Sequence, residues 1–372
     1  MAKPRVAIVH DWLYGGGAEL VVEQLHTVFP DAPIYCTFAT REWRERLHGK
    51  VRTGYLGQWP FNKLHKFTGV LRIIWYTHLK FKEYDIVISS SGAEAKGIKV
   101  PKDVLHINYC HAPTHYYWSR YDEYMKNPGL GLFDPIGRFF LWLLVKPLRK
   151  WDFKAAQRPD VIIANSTHIQ ADIRKYYRRD STVIFPPVYM ERFMKHENMR
   201  HKRRGFIISG RQTPYKRFDL AIVACTKLGL PLTVIGNGPD HARLRKLAGK
   251  TVTFLGRVSD EVVEQEFASA EALIFPGLDD FGITPVEAMA SGTPVIALKA
   301  GGALDYVKPR VTGEFFDRQK PSTLAHVLRD FDSHRYSSAA IRAYAKRFSK
   351  ENFQKTMRDL VVDEYKKFRA AE

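Results

Sequence analysis

Short apolar runs rich in valine and isoleucine recur along this chain, and most of them lead through a turn into a helical pattern. "RVAIVH" (5–10) passes through Gly15, Gly16 and Gly17 into "AELVVEQLHTVF", whose apolar residues have helical spacing. "YDIVISSS" (84–91), "VLHINYCH" (104–111), "PDVIIANS" (159–166) and "STVIFPPV" (181–188) continue the series. Runs with no polar alternation must be covered on both faces, which points to parallel strands flanked by helices. The charged stretch "ERFMKHENMRHKRR" (191–204) interrupts the pattern. It restarts with "GFIISGR" (205–211), a helix from about Lys216 to Leu228, and then "LTVIGNGP" (232–239), "VTFLGRV" (252–258), "EALIFPG" (271–277) and "TPVIAL" (293–298). At 372 residues the chain exceeds one ordinary core. The expectation is an α/β protein of two doubly wound, Rossmann-like domains, with the tail "SKENFQKTMRDLVVDEYKKFRAAE" as a long amphipathic helix. Ligands bind such sheets beyond the carboxyl ends of the strands, so the gap between two of them is the default site.

A formal net charge of +19 calls for an anionic partner: nucleic acid, an acidic membrane surface or a phosphorylated substrate. The charge is uneven. No acid lies between Glu45 and Glu83, where Arg46, Lys50, Arg52, Lys63, Lys66, Arg72, Lys80 and Lys82 interleave with Trp59, Phe61, Phe67, Trp75, Tyr76 and Phe81. Further on, the apolar run Phe139–Val145 is followed by Lys146, Arg149 and Lys150. It is far shorter than the roughly 20 residues that cross a bilayer, but suited to lying in its interface. A core helix with solvated ends is the plainer account. Cys36, Cys110 and Cys225 are widely spaced and odd in number, so reduced thiols are expected. The start "MAKPRVAIVHDW" has no signal-peptide pattern, and no leader is expected.

The candidate site residues all follow strands. Gly15–Gly17 allow close backbone approach at a helix start, although the dinucleotide fingerprint is absent. In "SGRQTPYKR", Arg211 and Lys216 offer a forked and a point cation suited to a diphosphate. In "LDDFGITPVEAMASG", Thr284, Pro285 and Glu287 have the form of a capping box, with Thr284 as N-cap. That pattern accounts for Glu287 but not for Asp279 and Asp280, nor for Phe281, Gly282 and Ile283. A sugar nucleotide would use helix-start amides for phosphate and carboxylates for hydroxyls. His111, at the end of "VLHINYCH", is either structural or a group facing a substrate. There is no HExxH, no Cys/His cluster, no DxD and no P-loop, so neither a metal nor a cofactor is expected.

Taken together, "HDWLYGGGAE", "YCHAPTHYYWSRYDEY", "ANSTHIQADIRKYYRRDSTVIFPPV", "GRQTPYKRFDLAI" and "DDFGITPVEAMASGTPVIALKAGGALDYV" resemble the retaining glycosyltransferases of family 4, nearest the mannosyltransferase-like members of bacterial surface-polysaccharide synthesis. The resemblance implies the GT-B architecture, two Rossmann-like domains facing a cleft, with the final helix crossing back to the first. It places the acceptor-side domain at 1–190 plus about 350–372 and the donor domain at 191–349. The family's paired acids, eight apart, fall on Asp279 and Glu287, with Asp where Glu is usual at the first. By the same resemblance Glu287 holds the ribose, Asp279 the donor sugar with Asp280 assisting, and Arg211 and Lys216 the diphosphate. His111 lies beside the transferred sugar. Gly15, Gly16 and Gly17 lie near the phosphates and acceptor, and Gly210, Phe281, Gly282, Ile283 and Thr284 line the sugar and phosphate. Backbone around Gly236, Gly238, Arg257 and Val258 reads the base.

The function expected is transfer of a hexose, expected to be mannose from GDP-mannose, to a hydroxyl of a lipid-linked or polysaccharide acceptor. His111, Arg211, Lys216 and Asp279 are the expected catalytic set. The expected setting is cytoplasmic, peripheral on the inner face of the cytoplasmic membrane, with an anionic membrane surface as partner and no nucleic acid. The alternatives are a UDP-sugar-dependent transferase, a sugar-nucleotide epimerase of the same fold and a non-catalytic basic binding protein.

Overall fold

Ile8, Ile86, Ile88 and Ile107 enter one hydrophobic core, while Ala7, Val9 and Val87 enter another. All are buried to within 1% of their surface. Alternate residues of one strand thus feed the two faces of one sheet, as continuous apolar runs require. This computed structural model describes residues 3–61, 68–126, 128, 131–195 and 203–371. The chain divides into two units, Met1–Pro186 with Phe353–Glu372, and Pro187–Asn352.

The first unit carries β1 (Val6–His10), β2 (Ile34–Cys36), β3 (Val51–Thr53), β4 (Ile86–Ser91), β5 (Leu105–Cys110), β6 (Val161–Ala164) and β7 (Thr182–Val183). They form a parallel sheet in the order β3-β2-β1-β4-β5-β6-β7. Its helices are α1 (Gly17–Val28), α2 (Arg41–Arg46), α3 (Gly69–His78), α4 (Tyr121–Lys126), α5 (Asp134–Ala155) and α6 (Thr167–Tyr177). Ser166 starts α6 by accepting the Ile169 amide at 3.1 Å.

The second unit opens with α7 (Met190–Phe193). Its strands are β8 (Phe206–Ser209), β9 (Leu232–Ile235), β10 (Val252–Gly256), β11 (Ala272–Phe275), β12 (Val295–Leu298) and β13 (Gly313–Phe316). The order is β10-β9-β8-β11-β12-β13, again parallel. Between and after the strands come α8 (Phe218–Leu228), α9 (His241–Leu247), α10 (Asp260–Ser269), α11 (Ile283–Ala290), α12 (Ala303–Tyr306), α13 (Pro321–Asp330) and α14 (Ser338–Ala345). In both sheets the chain works outward from a central strand, then reverses to the other side. The reversal falls between β1 and β4 and between β8 and β11, which marks the carboxyl edge there as a binding position.

The tail forms α15 (Lys350–Ala370). Phe353, Met357 and Val361 recur on one helical face and enter the core of the first unit beside Leu25 and Ile8. Burying three such side chains is worth about 1.5–3 kcal/mol each, which fixes the tail to that unit.

Three strands, β2, β3 and β13, were not evident as apolar runs, and the helix expected near Lys216 begins at Phe218 after a tight turn at Pro214–Lys216. The aromatic-basic segment is only partly a surface. Tyr76 and Phe81 are core residues and Arg72 is buried against Glu94, because the sheet face needed covering there. Lys63, Lys66 and Phe67 lie outside the described residues. Cys36, Cys110 and Cys225 are buried and free. No helix among the described residues is long and apolar enough to cross a membrane.

Candidate functional site

In the second unit the loops after β8, β9, β10 and β11 emerge at the same sheet edge. Their backbones touch. The Gly236 amide donates to the Gly256 carbonyl at 2.7 Å, and a Cβ on Gly236 would lie 2.1 Å from the Gly210 carbonyl oxygen. With φ at +104° as well, residue 236 has to be glycine. Gly238 lies equally close to the Gln212 backbone. Gln212 itself is fully buried. Its amide nitrogen donates to the Gly236 carbonyl at 2.8 Å and its oxygen meets His241 Nδ1 at 2.7 Å, so one side chain stitches the β8 loop to the β9 loop.

The β8 loop also reaches the β11 loop. Lys216 Nζ forms an ion pair and hydrogen bond with Asp279 Oδ2, and lies over the rings of Tyr215 and Phe275. The other oxygen, Asp279 Oδ1, is buried with no partner among the described residues. Arg211 is exposed, and its guanidinium makes no intramolecular hydrogen bond among the described residues. Asp280 is half-buried. Phe281 turns its ring into the unit's interior against Tyr306 and Phe348, so only its backbone is left to meet a ligand. Gly282 has φ at +91°, and a Cβ there would lie 2.8 Å from the Tyr306 hydroxyl. Arg257 is exposed and Val258 half-buried at the end of β10.

The capping box does not form. α11 begins at Ile283 with Gly282 as N-cap and no side-chain cap, so Thr284 lies inside the helix and Glu287 in its second turn. The left-handed turn at Gly282 starts the helix earlier than the Thr-Pro pattern predicts. With that role gone, Glu287 stands as a half-buried carboxyl that makes no hydrogen bond among the described residues. Burial raises its pKa to about 7, with Arg192 opposing the rise and Asp260 adding to it. Arg192 is itself held by Asp260 and Glu264, each at 3.0 Å.

In the first unit, His111 follows β5. Its Nε2 meets Ser90 Oγ at 2.8 Å, its carbonyl accepts from Asn165 at 2.9 Å, and its ring stands edge-on to Tyr109 and His10. Asp11, next to His10, is buried and accepts the amides of Gly92, Ala93 and Ala95 at 2.7–2.9 Å, which locks the β4 loop to the end of β1. Gly15, Gly16 and Gly17 lead into α1, but the buried Glu19 carboxylate accepts the amides of Tyr14 and Gly15 at 3.2 and 3.0 Å. The Gly15 amide is therefore engaged within the loop.

Residues 189–348 match the sequence family described as "Glycosyl transferases group 1", and residues 15–192 match "Glycosyltransferase Family 4". The chain belongs to the family 4 glycosyltransferases. Among curated relatives, a GDP-mannose-dependent alpha-mannosyltransferase of Mycolicibacterium smegmatis is 33% identical over 145 residues, 37% of each chain. The O-antigen chain mannosyltransferase C of Escherichia coli is 24% identical over 216 residues, 52% of this chain and 58% of that one. The chain thus spans less than two thirds of the length of either. The crystal structure of Anabaena HepE in complex with UDP has the same GT-B fold, with a TM-score of 0.71 over 96% of this chain and 100% of that one, at 17% identity.

Three residues of this family 4 glycosyltransferase escaped the sequence reading. Gln212 carried a faint signal as a polar residue directly after a strand. Arg192 had none, lying in a charged connecting stretch. Tyr306 is wholly buried with its hydroxyl unpartnered among the described residues, and burial together with the nearby Asp279 charge raises its pKa well above the ordinary tyrosine range. It read as one more core aromatic.

Proposed function

We propose that this protein is a retaining hexosyltransferase that moves mannose from GDP-mannose to a hydroxyl of a lipid-linked or polysaccharide acceptor in cell-surface glycan synthesis. The observation that carries the reading is the Lys216–Asp279 pair at the carboxyl edge of the second sheet, at its reversal point, with Glu287 in the helix that follows and free of any capping role there. A donor diphosphate would draw Lys216 away from Asp279 and add the exposed Arg211, with the start of α11 meeting the remaining charge. Glu287 would accept the ribose hydroxyls, and Asp279 and Asp280 those of the sugar. His111, set by Ser90, is the group we assign to the transferred sugar in the first unit. The names of both curated mannosyltransferase relatives favour mannose, and that of the Mycolicibacterium smegmatis protein favours GDP-mannose over a UDP-sugar.

In the reaction proposed, the bond between the anomeric carbon and the phosphate oxygen breaks first, and its electron pair stays on the phosphate. The acceptor hydroxyl attacks from the same face, its oxygen bonding to the anomeric carbon and its proton passing to that phosphate oxygen. Arg211 and Lys216 stabilise the departing nucleoside diphosphate, so no resident metal or cofactor is required by this scheme. The setting proposed is cytoplasmic, on the inner face of the cytoplasmic membrane. A thermal-shift panel of GDP-, UDP- and ADP-sugars, followed by product analysis with and without acceptor, tests the proposal. GDP-mannose should stabilise the protein and yield an α-linked product only with acceptor. Stabilisation by a UDP-sugar alone would overturn the donor, and turnover without acceptor would point to an epimerase.

A further inference from the structure

Helix α5 has two opposed faces. Val145, Asp152 and Ala155 are buried, while Ile136, Phe139, Phe140 and Leu143, spaced three and four apart, are each more than half exposed. Phe133 and Trp142 add further exposed apolar surface. The stripe then continues into Lys146 and Lys150, both exposed, and no acid occurs between Asp134 and Asp152. An apolar face of this size is unusual on a protein surface with nothing to cover it.

The inner side of α5 is tied down. Asp152 accepts from Lys96 and Thr114 at 2.8 Å, and from Trp118 and Tyr177 at 2.7 Å. Trp151 packs so closely on Gly97 that a Cβ there would lie 2.6 Å from its ring. Helix α3 is tied to the same short turn, through a double hydrogen bond from Arg72 to Glu94 at 3.0 Å. Both helices pack on the turn at Ala95–Gly97. The exposed Val70 and Ile74 of α3 therefore belong to the same part of the first unit as the α5 stripe. Two segments that the sequence separates by some sixty residues are brought together by one buried charged turn.

We infer that the outer face of α5, with α3 beside it, docks in the plane of an anionic lipid bilayer, its aromatic and aliphatic side chains entering the interface and Lys146 and Lys150 meeting lipid phosphates. This deepens the proposed function, whose lipid-linked acceptor it would bring within reach. A second copy of the chain fits the stripe less well, because a two-fold pairing would offer Lys146 and Lys150 only this same face, which holds no acid between Asp134 and Asp152. Anionic headgroups supply the missing countercharge. The apolar part spans about two helical turns, enough to lie in the interface and too short to cross it.

The test is co-sedimentation of the full chain with vesicles of roughly equal parts phosphatidylcholine and phosphatidylglycerol, and with vesicles of phosphatidylcholine alone. The wild-type chain should bind the anionic vesicles at least about tenfold more tightly. Phe140→Glu with Leu143→Glu should weaken that binding about tenfold or more, with an unchanged thermal midpoint because both side chains are exposed. Lys146→Ala with Lys150→Ala should remove the preference for anionic lipid. Binding that is equal in wild type and the Phe140/Leu143 variant would overturn the inference. So would a wild-type dimer in sedimentation velocity that this variant converts to monomer. Stabilisation by GDP, measured on the same proteins, separates the two readings. In the wild-type chain, no binding to anionic vesicles with GDP binding present sinks the surface alone, and vesicle binding without GDP binding sinks the GDP-mannose reading alone.

Discussion

Glu287→Gln should make the free protein more stable at pH 8 and leave it nearly unchanged at pH 5. The Glu287 carboxyl makes no hydrogen bond among the described residues, and burial lifts its pKa from an ordinary 4.5 to about 7. Between those values the folded protein holds a proton that the unfolded chain has released. Stability therefore falls as pH rises from about 4.5 to about 7 and levels off above. A rise of that size corresponds to about 3 kcal/mol once the group ionises, and to about 1–3 kcal/mol if water reaches part of the carboxyl. Glutamine has the same shape and no charge to desolvate. Urea denaturation of both proteins at pH 5 and pH 8 reads the difference directly. A gap of equal size at both pH values, or one that opens at the acidic end, would refute the reasoning. The same group makes a second demand. A ribose hydroxyl donating to the carboxylate favours its ionised form, so GDP binding should release a proton and tighten from pH 6 to pH 8. Titration calorimetry should find that pH dependence in wild type and not in Glu287→Gln.

Lys216→Ala should lower turnover about 10²–10³-fold, the usual consequence of removing a charge that meets a leaving group. It should also cost about 1–3 kcal/mol, since Asp279 is left buried and unpaired; adding Asp279→Asn should recover the melting temperature but not turnover. Gly236→Ala sets a methyl against the Gly210 carbonyl in a left-handed backbone, and should abolish GDP-dependent stabilisation in a thermal-shift assay with a loss of about 2 kcal/mol or more. Asp152→Asn leaves Lys96 buried without its counter-charge and should destabilise the protein by about 3–5 kcal/mol in urea denaturation, with a neutral GDP titration if enough folds to measure.

The alternation of apolar runs and helical patterns was enough to read two parallel, doubly wound sheets, because a strand buried on both faces cannot hide its composition. β2, β3 and β13 were less visible. "IYC" and "VRT" are three residues long, and "GEFF" carries an acid at a sheet edge. The candidate site was legible as loop chemistry at strand ends. Arg211, Lys216, Asp279 and Glu287 stood out because cations and acids after strands are costly to waste. Gln212, Arg192 and Tyr306 did not, since each acts through partners distant in the chain.

The sequence alone determined the class of fold, the two-fold repetition of its plan and the residue types at the loops, since periodicity and composition are local properties. Only the tertiary structure decided what those residues touch. It paired Lys216 with Asp279 across 63 positions, set the Tyr76 and Phe81 rings in the core while leaving Phe139 and Phe140 in the open, and stripped Glu287 of a capping role by starting its helix at Ile283. Burial and charge pairing depend on neighbours that the chain brings together only by folding, and the energy of a buried carboxyl is set by those neighbours rather than by its place in the sequence.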